Sequence, residues 1–446
     1  MDITVKKLKE HKYLIVFMCM LLQAIPFGVS QNIQPLFISY VIKGQGFSLG
    51  EFSLIFTIGA LASAICSPTI GKLYSKVNAK ILFLIGCIVS GAGFLGFAFA
   101  KSITMYYIFQ AITQIGTVTF SGLGVPLLVN SWFESHERGK ALGIAFSGGS
   151  IGNVFLQPIV SNCLAGMGYA HTYLIFGIVS LVVSIPIAIL FVRLPKENEK
   201  ELIAKLEVQS TGKTKEAATF DGLGAKATKK NKYFWLYAVG FLLVGLSISA
   251  LSTQYAAFFR DSLGFSAKTI GFVGSVFALF CLIGNISGGF LFDKFGTYKT
   301  MLIAGILEAI SCLALMFAGN MHGLAYLFSI AYGLNVYSYM TGPGYTTQAL
   351  FGRKGSSEIL GIVSLLFAVG FASGSTLFGF LVGKYGYGLG WDLTIVSIII
   401  GYGVLLLGVS KVNKQNKDRE LEEAKTAKVN QAAPKTQSNQ TTQTTK

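Results

Sequence analysis

Two stretches decide the fold: Gly289-Phe-Leu-Phe-Asp293-Lys294-Phe-Gly296-Thr-Tyr-Lys299 and, in the first half, Gly71-Lys72-Leu-Tyr-Ser75-Lys76-Val-Asn78-Ala-Lys80. Each lies between two long apolar segments. Each has a small residue leaving one helix, a polar or acidic position, and then bases across a tight turn. A hairpin between membrane helices must reverse within a few residues, and Gly296 permits the backbone angles this needs. Lysines hold such a turn on the cytoplasmic side. Asp293 is placed to accept hydrogen bonds from free N–H groups at a neighbouring helix start.

Composition agrees. The 446 residues are 52% hydrophobic and only 13% charged, and runs of about 20 apolar residues mark membrane helices. Strand-like alternation is missing, so the expected class is an all-α membrane protein. A net charge of +16 in a soluble chain would point to nucleic acid. Here thirty-one of the thirty-six Lys and Arg residues fall on one predicted side, the other five being Lys43, Lys101, Arg260, Lys268 and Lys384. That asymmetry orients the chain with both termini cytoplasmic. Nucleic acid is therefore not an expected partner. The six cysteines lie in or beside apolar spans without metal-ligand spacing, and read as buried thiols.

Taken in order, the predicted helices cover about 13–42, 50–71, 80–100, 102–132, 140–165 and 170–193, then about 233–260, 269–292, 298–318, 322–351, 357–383 and 389–410. Residues 1–193 form a first six-helix unit and 233–410 a second. Between them 194–232 reads as a lysine-rich cytoplasmic linker with a short helix near Glu199–Glu207. The tail 411–446 reads as disordered. Twelve transmembrane helices in two six-helix pseudo-repeats is the predicted architecture.

The paired turns resemble the signature between the second and third helices of major facilitator superfamily transporters, echoed between the eighth and ninth. The second copy matches better, since Ser75 replaces the acid and Asn78 the glycine of that signature in the first. The resemblance implies gating roles for Gly71, Lys76, Gly289, Asp293, Lys294 and Gly296. A second run, Trp132-Phe133 followed by Arg138-Gly139-Lys-Ala141-Leu-Gly143 and Gly148, Gly149 and Gly152, is similar to the branch holding monocarboxylate porters and oxalate:formate antiporters. It adds Arg138 as a hairpin residue.

In that superfamily helices one, four, seven and ten line a central cavity, and here these helices carry polar rows. Helix one offers Gln23, Phe27, Gln31 and Gln34; helix four Gln110, Gln114, Thr117 and Ser121. Helix seven has Ser247, Gln254 and Tyr255, and helix ten Tyr332, Asn335, Tyr337 and Tyr339. Amides are costly in hydrocarbon, so each row either lines the cavity or bonds helix to helix. No Lys, Arg, Asp or Glu stands mid-membrane in these helices. This disfavours strict oxalate exchange and suits a monoanion, a larger amphipathic acid or a neutral solute.

Glu308 is the one formal charge well inside a predicted span, about nine residues or roughly 13 Å beyond Lys299. It is either a proton site or a carboxyl bonded to a neighbouring helix. With no nucleophile–histidine pairing, metal-ligand spacing or phosphate loop, no catalytic residue, metal or cofactor is expected. The expected function is secondary active transport of a small organic solute, a monocarboxylate or related organic anion, coupled to a proton or an exchanged anion. The alternative is movement of larger amphipathic compounds of drug or bile-acid type. A monomer in a bacterial inner membrane is the expected setting.

Overall fold

The computed structural model describes residues 3–211, 224–352 and 355–432 and is helical almost throughout. Eight helices are long and apolar enough to cross a membrane. Three of them double back at a glycine with positive φ, namely Gly168 (φ 76), Gly296 (φ 71) and Gly386 (φ 81). That left-handed conformation is cheap only without a Cβ. With the interrupted helix 324–351, the described residues make twelve passes. They are α1 Glu10–Gln45, α2 Leu49–Tyr74, α3 Ala79–Phe99, α4 Ile103–Trp132, α5 (135–167), α6 (169–190), α7 Lys232–Asp261, α8 (267–295), α9 (297–316), α10 (324–351), α11 (356–385) and α12 (387–432).

The two halves are built on one plan, visible in their closest helix contacts. A Cβ on Gly148 would stand 2.0 Å from the Met20 carbonyl oxygen, and one on Gly152 2.1 Å from that of Ala24. These glycines let α5 lie on α1. In the second half a Cβ on Gly370 would strike the Leu242 carbonyl oxygen and one on Gly374 that of Leu246, so these glycines seat α11 on α7. The same sequence offset carries every member of the first set onto the second. Small residues at one-turn spacing are how helices approach closely in lipid.

We call the end carrying the 71–80 and 289–299 turns the basic end and its opposite the far end. At the basic end Lys12, 2% exposed, is held by Glu134 (3.2 Å) and Glu137 (2.7 Å). Trp132 Nε1 donates to the Arg193 carbonyl (2.9 Å), while the Arg193 guanidinium lies 4.6 Å from the Trp132 ring. α1, the α4–α5 turn and the end of α6 are thus tied together. Lys12 is therefore an internal base.

The linker begins as a helix, Glu197–Thr211, pinned by the forked Arg193–Glu199 pair at 2.7 and 2.9 Å. Its second helix is Ala225–Lys230. The tail departs from expectation. α12 runs on through 411–432 in place of the disorder expected there, and 433–446 lie outside the described residues. The stretch has no Gly or Pro and is rich in Lys, Glu, Ala and Gln, which favour helix. It is also docked: Val412 is buried, Asn416 donates to the Leu350 carbonyl (2.8 Å), and Gln415 accepts from Asn231 (2.7 Å).

Two tests follow from this packing. Gly148→Ala and Gly370→Ala should each lower the melting temperature in detergent, because the new methyl meets a backbone carbonyl. Gly403→Ala, which meets nothing within 4 Å, should be neutral or stabilising by up to about 1 kcal/mol. The Arg193 fork, with the Lys196 N–H bond, holds the Glu199 carboxyl down at about 2 against an ordinary 4.5. A depressed acid stabilises the fold fully above its unfolded value and stops doing so as pH falls through its folded one. Hydrogen exchange in Glu197–Thr211 should therefore stay slow at pH 4.5 and accelerate as pH falls through about 2.

Candidate functional site

Three of the four helices expected to line the centre lose regular α geometry at the candidate residues. In α1, Gln23–Asn32 widens into π turns, and in α4 Val118–Gly124 does the same. Pro26 in the first of these stretches lacks an N–H to donate. α10 breaks after Leu334 and again at Thr341. Such departures often mark functional positions.

The amide rows of α1 and α4 meet each other. Gln23 Nε2 donates to Ser121 Oγ (2.8 Å), Gln31 Nε2 to Gln114 Oε1 (2.5 Å) and Gln34 Nε2 to Gln110 Oε1 (3.4 Å). Phe27 lies against Gly149 of α5. Thr117 turns to α3, sharing a 2.8 Å bond with Ser90. Of this set Gln31 and Phe27 stay half-buried and the others are buried.

In the second half Gln254 donates to Ser375 Oγ on α11 and to Ser53 Oγ on α2, each at 2.9 Å. Tyr255 donates to Gln157 of α5 (3.2 Å). The two therefore bridge the bundles. Tyr339 is half-buried and its ring stacks on Phe367, which stacks on Phe371. Tyr337 is not with them, since its hydroxyl reaches the Thr300 carbonyl (3.2 Å) inside its own bundle. Asn335 also points away from the centre, donating to Glu308 (3.0 Å). The rows thus bond helix to helix more than they line a shared wall.

The bonds between bundles lie in the far half. Asp261 accepts from Ser39 (2.5 Å) and pairs with Lys43 (2.6 Å), and Arg260 sits 3.3 Å from the Tyr40 ring centre. Ser275 donates to the Val154 carbonyl (2.7 Å) and Ser161 to that of Ala267 (2.6 Å). Thr57 bonds the Ala372 carbonyl and Thr376. At the basic end Ile3–Leu22 and Val125–Trp132 pack within the first bundle, and Gly342–Phe351 within the second. The molecule is closed at the far end and parted at the basic end.

The two turns lie at the basic end. Gly71, Lys76 and Gly289 are exposed, and Asn78 caps α3 by accepting from the Lys80 N–H (2.9 Å). Asp293 accepts from the Tyr345 hydroxyl of α10 (3.0 Å) rather than from the backbone N–H groups expected. A phenol on the adjacent helix reaches it first. Lys294 rests over Phe290 and Phe295, and Arg138 Nε donates to the Phe133 carbonyl (2.9 Å).

A family model described as Major Facilitator Superfamily matches residues 16–267 and again 238–438. The chain belongs to the Major Facilitator Superfamily. It is a membrane transporter of that superfamily. Monocarboxylate transporter 12 of Xenopus laevis is 25% identical over 381 residues, 80% of this chain and 80% of that one. The synaptic vesicular amine transporter of Homo sapiens is 23% identical over 356 residues, 78% of this chain and 64% of that one. Among solved structures, a bacterial homologue of the human lysosomal transporter Spinster, in an inward-facing and occupied conformation, superposes with a TM-score of 0.70. It is 15% identical and covers 91% of this chain and 97% of its own.

Sequence reading missed Gln157, Ser53, Thr57 and Ser375 at the bundle contact, and Tyr402. Asn153 and Gln157, one turn apart in an apolar helix, were the available signal. The far-end closure gives a test. Asp261→Ala removes a hydrogen bond to a carboxylate and an ion pair, about 1.5 kcal/mol or roughly tenfold in the closed-to-open ratio. Thiol labelling of Ser53→Cys, with the native cysteines replaced, should rise accordingly.

Proposed function

We propose that this superfamily member is a secondary active transporter carrying a small organic solute, a monocarboxylate or related organic anion, by alternating access across the cytoplasmic membrane. The observation that carries the reading is the asymmetric closure: hydrogen bonds join the bundles at the far end, and the basic end is parted. With lysines marking the cytoplasmic side, both termini are cytoplasmic and the structure faces inward. Solute would meet Gln31 and Phe27 from the first half and Tyr339 from the second. The Gln31 amide N–H that now donates to the Gln114 carbonyl oxygen turns to a carboxylate when it arrives, at the cost of that interhelical bond.

The two relatives carry names of opposite charge, an acid and an amine, so substrate sign rests on this chain's own residues. Gln31 offers an amide donor and no fixed charge, which suits a monoanion held by hydrogen bonds. The Tyr339–Phe367–Phe371 stack supports a second reading, a larger amphipathic acid of bile-acid or drug type. Gradients supply the energy, since no nucleotide-binding motif is present in the sequence.

Uptake into proteoliposomes of defined pH and potential tests this with radiolabelled monocarboxylates, bile-acid-like amphiphiles and neutral sugars. A monocarboxylate should accumulate, and Gln31→Ala should cut its initial rate about tenfold at low concentration, the worth of one hydrogen bond to a charged group. Accumulation of the sugars alone, or an unchanged rate in the variant, would overturn the assignment.

A further inference from the structure

Glu308 has no role in the reading above, yet it is among the most completely enclosed side chains in the protein, at 0% exposure in the middle of α9. Three passes converge on its carboxyl. Ser247 of α7 donates to Oε1 (2.5 Å), while Asn335 of α10 (3.0 Å) and Tyr402 of α12 (2.8 Å) donate to Oε2. All three donors are neutral. The titratable groups facing it are Tyr402 from α12, Tyr332 and Tyr339 from α10, and Cys312 one turn along α9, with Asp392 beyond Cys312. α7 contributes only the Ser247 hydroxyl, and no Lys, Arg or His among the described residues acts on it. An ion enclosed without a counter-charge costs several kcal/mol, which a bound proton removes.

Two further features make this arrangement more than a structural carboxyl. Asn335 Oδ1 is buried with no donor, although buried acceptors are nearly always satisfied. Once Glu308 is protonated, its O–H supplies that donor when the Asn335 amide turns over and exchanges Nδ2 for Oδ1 at the carboxyl. Hydroxyls also lead to and from the carboxyl. Ser247 lines a half-open and mainly apolar groove of about 130 Å³ between α7, α11 and α12, in which the hydroxyls of Ser247, Thr394 and Ser397 are the polar partners offered to a water. On the other side Tyr402 reaches Ser338 Oγ (3.3 Å).

We propose that Glu308 is a proton-binding site that couples proton movement to the solute, with the break in α10 as the element that responds. A proton enters as the Ser247 hydroxyl takes one from a water in the groove and passes its own to Oε1. The carboxyl then turns about its Cγ–Cδ bond to present the O–H to Asn335. The proton leaves by the reverse exchange, through Ser247 back to that water. Binding reverses the Glu308–Asn335 bond from amide donor to carboxyl donor. Asn335 sits at the α10 break, four residues before Tyr339, so the change is delivered to the half-buried ring stacked on Phe367. One proton entering with one monoanion moves no net charge, so uptake follows the pH gradient and not the potential.

The proposal rests on the transport reading, and its test separates the two. Infrared difference spectra of the reconstituted full chain, taken between about pH 5 and about pH 9, should show a protonated-carboxyl C=O band that titrates. Glu308→Gln should abolish the band. Tyr402→Phe, which removes one hydrogen bond, should keep it and move it to higher frequency. In flux, Glu308→Gln should retain exchange of the transported solute and lose pH-driven accumulation by about tenfold or more. No titrating band in the native protein, or a band that survives in Glu308→Gln, overturns the site even where flux is normal. If Glu308→Gln fails to fold, Tyr402→Phe decides, and an unmoved band overturns the proposal. A band that behaves as stated, in a protein that moves none of the solutes offered, upholds the site and sinks the choice of solute.

Discussion

A polar group enclosed in hydrocarbon must find its partner inside the protein, and this structure follows from that constraint twice over. The backbone meets it by being helical. The side chains meet it by pairing between helices: Gln23 with Ser121, Gln31 with Gln114, and Gln254 with Ser53 and Ser375. These pairs divide by what motion does to them. Those between α1 and α4 lie within one bundle and travel with it. Gln254–Ser53 and Tyr255–Gln157 cross between bundles and must break for the far end to open, so their strength sets how firmly that end stays shut.

The halves share a frame and differ in what it holds. Glycines seat α5 on α1 and α11 on α7 at equivalent positions, where a methyl would strike backbone. At the offset that relates them, Gly86 occupies the first-half place of Glu308. There it packs against Thr119 and Phe120, while Glu308 gathers donors from three helices. Duplication supplied the scaffold, and substitution inside it made one half a lattice of amides and the other a socket for a carboxyl.

Much of the fold was legible in the sequence because lipid removes alternatives. Long apolar runs must be helices. The α7 expectation of about 233–260 lies within a residue of Lys232–Asp261 at each end. Partners were less legible. Gln31 and Gln114 lie on separate helices whose rotation depends on glycine contacts elsewhere, so their rows showed polarity without showing what they faced. π turns in α1 and α4 leave no local propensity signal, because they arise from packing. Tyr402, between Gly401 and Gly403 in an apolar run, looks like filler until α9 is laid beside it. The tail was misread for the opposite reason: its polar composition suggests disorder, while its lack of helix breakers and its docking asparagines favour a helix.

The linker is fastened at both ends. Its first helix is clamped to the first bundle through Arg193 and Glu199, and its second meets the other bundle through Lys229–Glu358 and Asn231–Gln415. Twelve residues, 212–223, separate the two helices in the sequence, and a chain of that length spans at most about 45 Å. Covalent reach therefore bounds how far the two bundles can part at the basic end, over and above the contacts that hold them at the other.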